Sequence, residues 1–180
     1  MVGDADRQAE ILSSMRSFSR VLIVICTLFG CVGCDQVSKV AARGLLTPGA
    51  LHSYLGDLLR LQLVENPGSF LSLGASLSAA TRFELFVGAV GLLLLVLVSA
   101  ALFARRLDKR QALALALVGG GGLSNLMDRI VHEGRVTDFL NVGLGSLRTG
   151  IFNVADMLIL MGAAFLVLAY KERGAPRVSP

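Results

Sequence analysis

Apolar residues gather into four long runs separated by polar joints, and this alternation organises the chain. The first run, 21–34, continues as a helical pattern through Val40. A helix needs about 20 apolar residues to cross the core of a bilayer. A span over about 20–40 is therefore long enough only if Asp35 and Lys39 lie near an interface or face the protein interior. Those two residues are spaced i,i+4, share one helix face and are placed to pair. The second run, 83–104, is the plainest span, with Glu84 as its one charge, near its start. The third, 111–130, contains Gly119-Gly120-Gly121-Gly122. In water each glycine would weaken a helix by roughly 1 kcal/mol relative to alanine. In a membrane, small residues admit a neighbouring helix or a substrate, so this run reads as a contact surface. The fourth, 151–170, ends at Lys171-Glu172-Arg173.

The joints have their own patterns. Residues 1–19 are polar and predict a loosely ordered tail; 174–180 form a second tail. In 41–82, Thr47-Pro48-Gly49 signals a turn. Leu59, Leu61 and Leu63 alternate with Arg60, Gln62 and Val64, as in a half-buried strand that Pro67 and Gly68 should end. This joint predicts a small sheet with a short interfacial segment folded against the membrane. The predicted fold is mainly α, a polytopic membrane protein with four transmembrane helices and a small extracytoplasmic β-sheet, in one domain over 20–173.

Composition agrees. Of 180 residues, 54% are hydrophobic and 17% charged, with a mean hydropathy of +0.69; a soluble domain carries about 25% charged residues. The net charge of +4 comes from short basic clusters beside apolar runs, which speak for orientation in a bilayer and not for nucleic acid. Lys and Arg number three up to residue 20 (Arg7, Arg16, Arg20), four in 105–110 and three from residue 171 on (Lys171, Arg173, Arg177), against seven spread over the two longer joints and their edges (Lys39, Arg43, Arg60, Arg82, Arg129, Arg135, Arg148). Dense charge in short flanks sets orientation. Both termini are therefore expected in the cytoplasm, with 41–82 and 131–150 facing outward.

Cys26, Cys31 and Cys34 lie along one helical segment, where disulfide geometry is seldom met, and no Cys/His array has zinc spacing. His52 and His132 stand alone and suit surface or core roles. Leu28-Phe29-Gly30-Cys31 behind two arginines resembles a secretory signal ending in a lipid-modified cysteine, but three more apolar spans follow it.

The candidate chemistry lies between Ser124 and Asp156. Carboxylates at membrane depth are costly and point to function. Asn125 and Asp128 are i,i+3 on the third span, with Arg129 adjacent as the expected ion partner of Asp128. Asn153 and Asp156 repeat the spacing on the fourth span, and Asp138 sits in the loop between. Two carboxylates held close share a proton, so that one activates a water and the other polarises a carbonyl. From spacing alone, a catalytic pair, a proton or ion pathway and a structural network all stay open. No GxSxG or HExxH motif is present.

Five blocks in order narrow this: Asp35-Gln36-Val37-Ser38-Lys39, Asn66-Pro67-Gly68, Asn125-Leu126-Met127-Asp128-Arg129, Val136-Thr137-Asp138-Phe139 and Phe152-Asn153-Val154-Ala155-Asp156. Together they resemble lipoprotein signal peptidase, or signal peptidase II. The resemblance implies a membrane aspartic endopeptidase with Asp138 and Asp156 as its catalytic dyad. Asn66, Gly68, Asn125, Asp128, Arg129, Asn153, Asp35 and Lys39 would support the site and substrate. It implies cleavage of diacylglyceryl prolipoprotein just before the lipidated cysteine, at the outer face of the bacterial inner membrane, with no metal or organic cofactor. The implied partners are the prolipoprotein and membrane lipid, with cyclic-peptide inhibitors of the family possible, and the expected state is a monomer. The signal helix is expected against the glycine run, and the loop holding Phe70 over the site. Ser124 stands where the family usually has glycine, the Asp128–Asp138 gap is one residue longer than usual, and Ser69 alone precedes Phe70. The alternative is a small proton-coupled membrane carrier.

Overall fold

A computed structural model describes residues 2–68, 76–104 and 106–174. The elements in order are α1 (Val2–Leu45), β1 (His52–Tyr54), β2 (Leu59–Asn66), α2 (Ala79–Phe83), a π-helical stretch (Glu84–Ala89), α3 (Val90–Phe103), α4 (Lys109–Val131), β3 (Val136–Leu144), β4 (Leu147–Arg148) and α5 (Val154–Gly174). Phe70 and the neighbouring part of the expected interfacial segment lie outside the described residues.

α4 is the central helix. α1 runs parallel to it: Arg20 at one end donates to the carbonyls of Ala104 and Leu102 at 2.7 and 3.0 Å, and Gln36 at the other reaches Ser124 and Asp128. α3 and α5 run antiparallel to it. The four glycines explain the packing. A Cβ on Gly119 would lie 2.9 Å from Val98, on Gly120 2.6 Å from Cys31, on Gly121 2.5 Å from the Ala155 carbonyl, and on Gly122 2.4 Å from Leu94. The run is thus a contact surface toward α1, α3 and α5. These faces are already occupied by the protein's own helices, so a signal helix does not find them free. Gly162 on α5 answers with the same tightness, 2.7 Å from the Ala114 carbonyl. Below this layer, Val24, Ala101, Ala112 and Ala116 form a fully buried apolar cluster.

Among the described residues, three helices are long and apolar enough to cross a membrane: 17–45, 80–103 and 154–171. α4 spans 23 residues, about 34 Å at helical rise, but its glycines and polar groups keep it below that hydropathy. It begins with a capping box in which Asp108 accepts from the Gln111 amide at 2.8 Å and Gln111 accepts from the Asp108 amide at 3.3 Å. Its end turns through Glu133 and Gly134, both with positive φ, into β3.

The sheet has four antiparallel strands in the order β1-β2-β3-β4. β2 is the strand expected from the leucine alternation. β3 occupies what reads in sequence as a loop, and it aligns Asp138 with Val64 and Val136 with Asn66 across a register shift between Leu61 and Val64. A second departure concerns the tail: α1 begins at Val2, so the polar stretch before residue 20 is helical and not loosely ordered. The stretch holds no proline, and its alanines, arginines, Gln8, Glu10, Leu12 and Met15 are good helix formers.

Candidate active site

Three local structures converge where α4 ends. β2 closes at Asn66, β3 carries Asp138, and α5 opens at Asn153. Asn153 sits outside the helix as its cap, not on a helical face as the i,i+3 spacing suggests. Its side chain accepts from the Asp156 amide at 3.0 Å, and Asp156 accepts from the Asn153 amide at 3.1 Å. This reciprocal pair satisfies helix-end donors that would otherwise be orphaned.

The same asparagine joins the two acids. Its Nδ2 donates to Asp138 Oδ1 at 2.7 Å while its backbone holds Asp156. Asn66 donates to Asp138 Oδ2 at 2.8 Å, and Asn125 donates to Asp156 Oδ1 at 3.0 Å. Asp138 and Asp156 both line a cavity of about 260 Å³ together with Asn66, Asn125, Arg129 and Asn153. Its apolar walls are Phe86, Val90, Val136, Ile151, Ile159 and Leu160. Burial pushes the Asp138 carboxyl up to about 6, and the charge of Asp156 adds to the rise; the amides of Asn66 and Asn153 hold it back.

Arg129 is buried in this wall. It donates to the carbonyls of Gly68 at 2.8 Å and Asn125 at 3.2 Å, and its guanidinium lies 5.3 Å from the Phe86 ring centre. It does not form the ion pair with Asp128 expected from adjacency. That partner is Lys39, 2.9 Å from Asp128 and 2.6 Å from Asp35, with all three side chains fully buried. The expected Asp35–Lys39 pair is thus present, inside a larger node. Asp35 also accepts from Ser124 Oγ and the Ala155 amide, both at 2.7 Å; Asp128 accepts from Gln36 at 2.9 Å and the Thr137 amide at 3.1 Å. Gly68 closes the set by donating to Asn66 Oδ1 at 2.9 Å.

All ten candidate residues therefore belong to one connected network, with Asp35, Lys39 and Asp128 behind the cavity wall. Sequence reading passed over Gln36, Thr137, Ser124 and Phe86 as contributors. Gln36 and Thr137 stand beside flagged residues. Phe86 has no such signal: it is buried in the π-helical stretch, a widened turn common near functional sites.

The family described as Signal peptidase (SPase) II matches residues 27–171. The chain belongs to the signal peptidase II family. A lipoprotein signal peptidase of Treponema denticola is 35% identical over 130 residues, covering 70% of this chain and 75% of that protein. One from Maridesulfovibrio salexigens is 36% identical over 148 residues, covering 77% and 89% respectively. A solved bacterial membrane enzyme superposes with a TM-score of 0.74 at 21% identity, over 87% of this signal peptidase II chain and 92% of its own, and so shares the fold.

Proposed function

We propose that this signal peptidase II is an aspartic endopeptidase whose dyad is Asp138 and Asp156. As a lipoprotein signal peptidase it removes signal peptides from prolipoproteins; a carrier reading is not favoured by its relatives. The observation that carries the dyad is the single asparagine, Asn153, bonded to both acids beside a shared cavity. One carboxylate takes the proton of a water while the other, protonated, donates to the scissile carbonyl. Apolar walls keep the dielectric low, which strengthens the coupling between the two acids.

The substrate we infer is a diacylglyceryl prolipoprotein, cut before its lipidated cysteine. Its lipid anchor would hold the scissile bond at membrane depth, in reach of a cavity between helix ends. Four crossings, with the cavity at the outer face of the bacterial inner membrane and both termini in the cytoplasm, fit the charge flanks and the antiparallel bundle. A monomer is the expected state, and membrane lipid is the expected neighbour of the exposed helix faces. Cyclic-peptide inhibitors of the family would compete for the same space.

The test is a gel-shift cleavage assay on a diacylglyceryl prolipoprotein. Asp138→Asn and Asp156→Asn should each lose about 10²–10⁴-fold in rate or more. Full cleavage by either variant removes that residue from the chemistry.

A further inference from the structure

Lys39 touches neither the cavity nor the two acids, yet it is bound to the amide that touches one of them. Its ammonium has three protons and meets three acceptors: Asp35 at 2.6 Å, Asp128 at 2.9 Å and Asn125 Oδ1 at 2.8 Å. No proton is left over. Asn125 Oδ1 also receives Asn153 Nδ2 at 3.2 Å, so the oxygen end of that amide is fixed by two donors. Its NH₂ end must then point the other way, and there it donates to Asp156 at 3.0 Å.

The two acids are not equivalent under this arrangement. Asp156 takes one bond from a helix-capping backbone amide and one from an asparagine pinned by a cation. Helix N-termini favour the charged carboxylate. Asp138 lies on β3 and takes both bonds from asparagine side chains. Charged groups set around the pair are Lys39 and Asp35 on α1 and Arg129 and Asp128 on α4; the π-helical stretch and α3 contribute the uncharged Phe86 and Val90 to the cavity.

We propose that Lys39 is a positioning residue for the reaction: by locking the Asn125 amide it makes Asp156 the ionised member, the base that takes the water proton, and leaves Asp138 to carry the dyad's proton. The reading rests on the dyad proposed above. A flipped Asn125 would present oxygen to Asp156, repel its charge and pass the proton to it.

Lys39→Met alone would strand two buried carboxylates, so the test uses Lys39→Met with Asp35→Asn, which keeps the net charge of the Lys39–Asp35–Asp128 node. The expected result is a folded protein with kcat reduced about tenfold to a hundredfold, KM nearly unchanged, and the acid limb of the pH–kcat profile moved up by about one unit. Asn125→Leu should move the limb the same way, and adding it to the double variant should move it no further. If the double variant does not fold, Asn125→Leu carries the test. An unmoved acid limb, or additive shifts, overturns the proposal. Carboxyl ¹³C titration of aspartate-labelled protein checks the assignment without turnover: the resonance of the higher-titrating dyad carboxyl should vanish in Asp138→Asn and persist in Asp156→Asn, titrating lower there because the neighbouring charge is gone. The reverse overturns the assignment even if both variants are inactive and the dyad stands.

Discussion

The Lys39 node carries one cation between two anions at full burial, which makes the three residues unequal under mutation. Removing one carboxylate leaves a neutral ion pair; removing the lysine leaves two buried anions. Breaking a buried pair so that a charge is stranded costs about 3–5 kcal/mol. Lys39→Met should therefore abolish expression of folded protein, while Asp128→Asn loses about 1–3 kcal/mol, near the cost of its lost hydrogen bonds. The yield of folded protein after detergent extraction measures the first and a thermal melt the second, and a Lys39→Met protein as abundant and as stable as Asp128→Asn would contradict the node. Asp138 adds a pH signature. Its carboxyl titrates at about 6 in the folded protein against 3.8 ordinarily. A raised carboxyl favours folding below 3.8 and opposes it increasingly as pH rises through 6. The penalty is at most about 3 kcal/mol. The melting temperature of Asp138→Asn, followed over this range, should lack the part of the wild-type slope due to this group; parallel curves would count against it. At this scale the sequence was informative where chemistry is dear. Carboxylates and amides in apolar surroundings are costly enough to flag themselves. Adjacency misled at Arg129, because neighbours in a helix point about 100° apart while Lys39 approaches from another helix.

Among the elements, α4 tolerates least. Its glycines sit where α1, α3 and α5 come within contact of its backbone. Gly121→Ala would press a methyl 2.5 Å from the Ala155 carbonyl, next to Asp156. Overpacking of this kind costs about 1–3 kcal/mol, and here the strain falls on the helix start that holds the dyad. The variant should melt lower and cleave more slowly. Gly33→Ala, with nothing within 4 Å of its Cβ, should match wild type or gain slightly from helix propensity. A melting comparison of the pair distinguishes packing from propensity: equal behaviour would mean the glycine run is not a contact surface. The run was visible in the sequence as small residues, but what it contacts was not, since small side chains fit a partner helix and a substrate alike. β3 was hidden for a different reason. Asp138 and Asn141 are poor strand formers, and the strand exists because β2 lies beside it and supplies the ladder. The helical start of α1 was missed because polarity there masked good helix propensity.

For the whole molecule, we propose four crossings where hydropathy finds three among the described residues. Arg20, the joint after α3 and the end of α5 gather at one end of α4; Asp35, the start of α5 and the sheet gather at the other. If α4 stayed out of the bilayer, α3 and α5, which run side by side with it, could not both cross beside it. Its low hydropathy follows from its position: thirteen of its residues are buried among the other helices, so protein and not lipid is its solvent. With the four crossings proposed above, Lys109, Arg110 and the end of α5 would share the side of the start of α1, the distribution that the positive-inside rule favours. Cysteine labelling in intact cells tests this with a membrane-impermeant maleimide. Cys26, Cys31 and Cys34 lie within the first span and are replaced by serine or alanine beforehand. Cysteines placed at Leu147, 83% exposed on β4, and at Leu55 in the β1–β2 turn should label from outside. One placed at Lys109 should label only after the membrane is opened. Outside labelling at Lys109, with Leu147 protected, would invert the protein and put the cavity on the face opposite to that on which the proposed cleavage depends.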